Sequence, residues 1–73
     1  MKIELGRCLL DERLREAGMS RETLAEKLHY KPERLMDFID LKRVMPLKDA
    51  LSIASTIGCE VKELYEIKEK GST

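Results

Sequence analysis

The side chains with binding chemistry in this chain are charged residues in its middle third. Between residues 21 and 46 the basic residues are Arg21, Lys27, Lys31, Arg34, Lys42 and Arg43, and the acidic ones are Glu22, Glu26, Glu33, Asp37 and Asp40. An arginine donates two parallel hydrogen bonds to guanine, and arginine and lysine both bind phosphate. A carboxylate accepts a hydrogen bond from the amino group of cytosine, but the negative charge of phosphate repels it. Six basic minus five acidic residues leave a formal charge of plus one, so any binding of nucleic acid would have to come from a local basic surface and would depend on salt.

Catalytic and metal-binding chemistry has few candidate residues. The chain contains one histidine, His29, and two cysteines, Cys8 and Cys59, and these lack the paired spacing of a zinc site. The sequence has no glycine-rich phosphate loop and no distinctive carboxylate pair. We therefore expect a protein that is not an enzyme and holds no metal or cofactor. Both cysteines lie among apolar residues, which favours buried reduced thiols over a disulfide or a redox pair.

Length and composition predict one small helical domain. The 73 residues are 42% apolar, 38% charged and 4% aromatic, which suits helices with a solvated surface better than a sandwich or barrel. The 14 basic and 14 acidic side chains give a formal net charge of zero. Glu4 and Arg7 interrupt the first apolar run, unlike a secretory signal, and no stretch nears the ~20 apolar residues of a membrane span. We expect a cytoplasmic protein that does not enter membranes.

Apolar spacing and end signals predict an all-α, compact bundle of five short helices. The predicted helices cover residues 4–17, 21–28, 32–40, 46–57 and 60–68. Gly18 and Gly58 end the first and fourth helices, and Ser20 is placed to N-cap the second. Pro32 and Pro46 begin the third and fourth helices. The predicted inner stripe of the fourth helix is Leu47, Ala50, Leu51, Ala54 and Ile57. Residues 1–68 are expected to form the domain, and residues 69–73 are expected to fray.

The second and third helices, joined by three residues, have the arrangement of a helix-turn-helix at about residues 21–40. Their apolar faces are Leu24, Ala25 and Leu28 on one helix and Leu35, Phe38 and Ile39 on the other. The small Ala25 side chain lets the two backbones approach where the helices cross. A generic helical hairpin has the same spacing, so the hairpin alone leaves the function open.

The pattern continues into the flanking segments. Its residues are Leu14-x-x-x-Gly18-Met19-Ser20-x-x-x-Leu24-Ala25-x-x-Leu28, Leu35-x-x-Phe38, Lys42-Arg43-x-x-Pro46, Leu51-x-x-Ala54-x-x-Ile57-Gly58 and Val61-x-x-Leu64-Tyr65. In this register, over about residues 5–67, the chain resembles the lambda-repressor-like (Cro/Xre-type) helix-turn-helix DNA-binding family. His29 and Leu41 stand where the family tends to have glycine, and Lys31-Pro32 where it commonly has serine. Position 29 often needs a positive φ, which histidine tolerates better than most residues.

The resemblance implies that the helix over residues 32–40 lies in the major groove of double-stranded DNA. Arg34 would pair with guanine, and Glu33 or Asp37 would accept from cytosine. Lysines and arginines at the ends of the motif would contact phosphates. The DNA-binding residues implied are therefore Arg21, Lys31, Glu33, Arg34, Asp37, Lys42 and Arg43. The implied function is a sequence-specific, repressor-like transcriptional regulator of bacterial or phage type.

The resemblance also implies a homodimer on two half-sites about one DNA turn apart. Candidate interface residues are Ile3, Leu10, Tyr65 and Ile67, which suit the core equally well. The nearly charge-balanced exposed face leaves a second interpretation open, a protein-binding helix-turn-helix module such as an antirepressor or antitoxin that docks on another regulatory protein. The acids of the third helix are equally consistent with a helix N-terminus and a solvated surface.

Overall fold

A two-stranded antiparallel sheet joins the two ends of the described chain, and four α-helices lie between them. The computed structural model describes residues 2–70. Its elements are β1 (Lys2–Cys8), α1 (Leu10–Ala17), α2 (Arg21–Leu28), α3 (Pro32–Ile39), α4 (Leu47–Ile57), a 3-10 turn (Val61–Glu63) and β2 (Tyr65–Lys70). In the sheet Leu5 lies opposite Ile67 and Glu4 opposite Lys68, with an irregularity between Leu5 and Cys8.

The prediction of an all-α bundle of five helices is wrong at both ends of the chain. The helix predicted over residues 4–17 begins only at Leu10, and the helix predicted over residues 60–68 is replaced by the 3-10 turn and β2. The physical reason is the alternation of apolar and polar residues in Ile3-Glu4-Leu5 and Tyr65-Glu66-Ile67, which has the period of a strand. Each strand supplies the backbone partners that the other needs.

The predicted tail overlaps this sheet. β2 includes Glu69 and Lys70, the first two residues of the segment expected to fray. The rest of that segment, residues 71–73, lies outside the described residues.

The interior helices agree with the sequence prediction. α2 has the predicted bounds, and α3 ends one residue earlier than predicted, at Ile39. The Ser20 hydroxyl accepts a hydrogen bond from the Thr23 amide at 3.1 Å, which confirms the N-cap of α2. Gly18 and Gly58 follow α1 and α4 with φ of 67° and 80°, so both helix ends rely on the left-handed conformation that glycine favours. None of the helices in the described part has the length and apolar character needed to span a membrane.

The core lies between the four helices and one side of the sheet. Its fully buried large side chains are Leu10, Leu24, Leu35, Phe38, Ile53 and Leu64. The predicted inner stripe of α4 is partly wrong, because Leu47 and Leu51 are exposed whereas Ile53 is buried together with Ala50 and Ala54. The helix is turned so that Asp49 faces inward, where two side chains bind it as described below.

Candidate functional site

The helix-turn-helix forms as its buried residues predict. Leu24 and Ala25 of α2 and Leu35 and Phe38 of α3 are each at most 2% exposed. The turn between the helices begins at His29, whose φ of 58° is left-handed, and this confirms the expectation for that position. The Tyr30 amide then donates to the Ala25 carbonyl at 2.9 Å. The turn therefore fixes how α3 leaves α2.

A second left-handed residue ends α3. Leu41 has a φ of 62°. Like His29, it stands at a position where the lambda-repressor-like family tends to have glycine. The amides of Lys42 and Arg43 both donate back to the Asp37 carbonyl, at 2.9 and 3.2 Å. The loop after α3 is therefore folded against the last turn of the helix rather than extended away from it.

These two turns enclose an open groove of about 610 Å³, the polar groove, beside α3. Its lining residues are His29, Tyr30, Lys31, Glu33, Arg34, Asp37 and Arg43. Five of the seven predicted site residues share this surface. Lys42 is exposed next to it in the loop, and Arg21 lies outside its lining.

Arg21 is engaged in a contact between helices. Its Nε donates to Asp11 Oδ1 at 2.8 Å, its Nη2 donates to the second carboxylate oxygen, and its Nη1 contacts Met36 Sδ. The hydrogen bond from Arg21 lowers the pKa of Asp11. Arg21 thus joins α2 to α1 and α3, and its charge is largely balanced by Asp11.

Arg34 lines the polar groove and is bound there by two residues. Its Nη2 donates to Asp49 Oδ2 at 2.7 Å, and its guanidinium carbon lies 4.3 Å from the centre of the Tyr30 ring. The Tyr30 hydroxyl donates to Asp49 Oδ1 at 2.8 Å. Burial, and then this hydrogen bond, raise the pKa of Tyr30. The Arg34 side chain remains 44% exposed, so its free N–H groups are accessible.

Asp49 and Tyr30 are site residues that the sequence analysis missed. The available signal for Asp49 was its place directly before Ala50, on the side of α4 that is buried. A carboxylate there requires a basic or hydroxyl partner. Tyr30 had only its place in the turn, which does not reveal which way its ring points.

The acids of α3 differ in their surroundings. Glu33 lies in the first turn of the helix, where the helix dipole favours negative charge. Asp37 Oδ2 lies 4.0 Å from Arg43 Nε, and the Arg43 side chain is exposed whereas that of Asp37 is partly buried, so this long pair contributes little stability. The lining of the polar groove has three cations, Lys31, Arg34 and Arg43, and two acids, and Asp49, outside the lining, pairs with Arg34.

A second groove, the apolar groove, lies beyond the loop. It has a volume of about 440 Å³ and is lined by Leu5, Val44, Met45, Leu47, Ala50, Val61, Lys62, Tyr65 and Ile67. Of the candidate interface residues, Leu10 and Tyr65 are buried, whereas Ile3 and Ile67 are exposed.

The remaining reactive side chains form no further site within residues 2–70. Cys8 is buried and Cys59 partly buried; both are free, and burial raises the pKa of each thiol. No group of three or more histidine, cysteine or acidic side chains in this range is placed to hold a metal ion.

Comparison with known proteins adds a relative over nearly the whole chain. The chain is 35% identical over 69 residues to a Bacillus subtilis (strain 168) protein described as the SPbeta prophage-derived uncharacterized HTH-type transcriptional regulator YopS, and the match covers 93% of each protein. That description is of a regulator, not of an enzyme. No protein-family model and no solved structure matches the chain. Identity of this extent, together with the observed α2–turn–α3 unit, shows that the chain belongs to the helix-turn-helix-type transcriptional regulators.

Proposed function

We propose that this protein is a sequence-specific DNA-binding regulator of the Cro/Xre type that places α3 in the major groove. The observation that carries the proposal is the polar groove, in which α3 and the loop after it present Lys31, Arg34 and Arg43 on one open surface. An α-helix fits the major groove, and cations at both of its ends are suited to the flanking phosphates. The relative's description as a transcriptional regulator supports the same function.

The proposed contacts divide the surface by chemistry. Arg34 donates to guanine, and Glu33 or Asp37 accepts from the amino group of cytosine. Lys31, before α3, and Lys42 and Arg43, after it, bind phosphates. We leave Arg21 out of the contact set, because Asp11 already binds two of its nitrogens.

Three phosphate contacts per copy make a modest binding site. For each copy, the logarithm of the binding constant plotted against the logarithm of the salt concentration should have a slope of about −3, since each neutralised phosphate contributes about −0.9. A single domain of this kind needs a second half-site to bind tightly, so we propose a homodimer on a symmetric operator. Binding there by a repressor-like protein would exclude other proteins from the same DNA.

The apolar groove is the surface that we assign to the second copy. Val44, which lines the apolar groove, directly follows Arg43 of the polar groove, so a second copy bound there would lie next to the loop that we propose to contact DNA. Leu5, Val44, Leu47 and Ile67 are each 44–69% exposed. Stable interfaces bury about 800 Å² per partner, and apolar patches of roughly 300–600 Å² supply the centre of such an area. The formal net charge of zero adds no repulsion between copies.

Selection of binding sites from random duplex DNA, at about 50 and about 200 mM salt, tests the proposed function. We expect a two-fold symmetric site with a guanine in each half and half-site centres about one helical turn apart. Lys27→Ala is the matched control, because Lys27 is an exposed cation of α2 outside the polar groove. It should select the same site as the unaltered chain. Enrichment of no sequence at either salt concentration would overturn the proposal and favour a protein-binding module.

A further inference from the structure

Asp49 is an unusual carboxylate in this molecule. Among the residues that the structure describes, Asp49 is the one charged residue that is buried, with 5% of its surface exposed. It sits in the first turn of α4, an element that carries none of the proposed DNA contacts. A buried carboxylate is retained at a large desolvation cost unless its oxygens are fully bound, so its partners show what it does.

Both oxygens of Asp49 are occupied by groups from the turn and from α3. Oδ1 accepts from the Tyr30 hydroxyl at 2.8 Å, and Oδ2 accepts from Arg34 Nη2 at 2.7 Å. The Tyr30 ring lies against the same guanidinium, 4.3 Å from its carbon. Arg34 is therefore hydrogen-bonded to Asp49 at one nitrogen and stacked on the Tyr30 ring with one face.

The remaining donors of Arg34 are left for a ligand. A guanidinium carries five N–H groups in a fixed plane, and Asp49 binds at Nη2 alone. A guanine contact needs two parallel donors. An arginine already fixed in plane loses less conformational freedom on binding than one free in solvent.

We infer that Asp49 and Tyr30 form a clamp that positions the Arg34 guanidinium in the polar groove and thereby sets base specificity through Arg34 rather than through a base contact of their own. The inference rests on the proposed function, because it assigns positioning residues to the guanine contact of Arg34. Asp49 also balances the charge of Arg34. The clamp therefore favours directed hydrogen bonds to a base over attraction to any phosphate.

The test compares Asp49→Asn and Tyr30→Phe with the unaltered chain. Equilibrium binding is measured with the selected duplex, with duplexes changed at each single base pair, and with random duplex. We expect both variants to lose about tenfold or more of the discrimination at the guanine position. Affinity for random duplex should stay equal or rise in Asp49→Asn, which has one negative charge fewer. The matched control is Asp11→Asn, which breaks an arginine–aspartate pair outside the polar groove and should keep full discrimination.

A second readout follows the clamp without DNA. In a nitrogen–proton NMR spectrum of the free protein, the Arg34 Nε–H signal should be resolved from the signals of solvent-exposed arginines. In Asp49→Asn it should move to the averaged chemical shift of those arginines. Tyr30→Phe keeps the ring and removes only the hydroxyl, so it remains informative if Asp49→Asn fails to fold. A selected site whose discrimination survives both changes would overturn the clamp and leave the proposed function standing. No selected site with the unaltered chain would overturn both.

Discussion

Two basic residues of the proposed site, one in the lining of the polar groove and one beside it, have different surroundings. Arg34 is bound by Asp49, whereas Lys42 is an exposed loop residue with no ion pair among residues 2–70. We expect Arg34→Ala to relax specificity at one guanine position, with a loss of about 1–3 kcal/mol of discrimination. Lys42→Ala should weaken binding to all sequences alike and reduce the salt slope by about 1. Titrations of matched and mismatched duplexes at several salt concentrations measure both; equal effects of the two changes would contradict the assigned roles.

The Asp11–Arg21 pair predicts a pH dependence of stability. The hydrogen bond from Arg21 lowers the pKa of Asp11, so its stabilisation is complete above the unfolded value of about 3.9 and is lost as the pH falls through the lowered folded value. The side chains are 39% and 31% exposed, so screening limits the effect. Asp11→Asn should lower the free energy of unfolding by about 0.2–1 kcal/mol at pH 7.

Urea unfolding at pH 7 and at pH 2 measures this difference. It should be smaller at pH 2, because Asp11 loses its charge as the pH falls through its lowered folded-state pKa. Glu26→Gln, a change at an exposed acid of α2, should leave stability within about 0.5 kcal/mol at both values. An Asp11→Asn loss of equal size at both pH values would mean that packing, rather than charge, links α1 to α2.

Single residues were predictable from the sequence where their chemistry is local. Ser20 as an N-cap and His29 as a left-handed residue depend on their neighbours along the chain, and both predictions are confirmed. The partners of Arg21 and Arg34 depend on which acids other elements bring near them. Asp11 lies 10 residues from Arg21, and Asp49 lies 15 residues from Arg34, along the chain. The spacing of these residues in the sequence therefore does not reveal either ion pair.

At the scale of elements, the end of α3 contains strain that a substitution can release. Leu41 has a φ of 62°, a conformation that costs a leucine about 1–2 kcal/mol. Leu41→Gly should raise the free energy of unfolding by about 0.5–1 kcal/mol, because the added freedom of the unfolded glycine offsets part of the relief. Thermal unfolding should show a Tm increase of about 2–8 °C.

Leu51→Gly is the control for this change. Leu51 is exposed to 53%, close to the 52% of Leu41, but it lies inside α4. The same substitution there should lower the free energy of unfolding by about 1 kcal/mol. A decrease at both positions would show that the Leu41 side chain, rather than its backbone, governs the stability of the loop.

The helices and the strands differ in how far the sequence determines them. α2, α3 and α4 have buried faces and local end signals, namely the Ser20 cap before α2, the prolines at the starts of α3 and α4 and Gly58 after α4. Their bounds lie within one residue of those that these signals predict. β1 and β2 are separated by the whole set of helices and stabilise each other through pairs such as Leu5 with Ile67. Local spacing around Leu5, Cys8 and Leu9 also suits a helix, and only the partner strand decides between the two structures.

At the scale of the whole molecule, we propose that the polar groove binds DNA and that the apolar groove binds a second copy. We expect Leu47→Glu to shift the protein from dimer to monomer and to weaken binding to a symmetric operator, because it places a charge on the rim of the apolar groove. Leu51→Glu makes the same change one turn along α4, outside the lining of the groove. It should leave the oligomeric state unchanged.

Sedimentation velocity over a range of protein concentrations measures this prediction, with circular dichroism to verify folding. The assignment of the apolar groove to the dimer is contradicted if both variants sediment as species of the same size as the unaltered chain. It is also contradicted if both variants are dissociated. Binding to a single half-site should be unaffected in both, because neither leucine lines the polar groove.

The central claim, that α3 and the loop after it form the DNA-binding surface, is tested most directly by nuclear magnetic resonance. The nitrogen-labelled protein is titrated with the duplex enriched from random DNA, and the shifts of its amides and arginine side chains are followed. The largest changes should fall on residues 31–43 and on the Arg34 Nε–H, and they should diminish as salt is raised. Binding of that duplex with residues 31–43 unperturbed would contradict the claim.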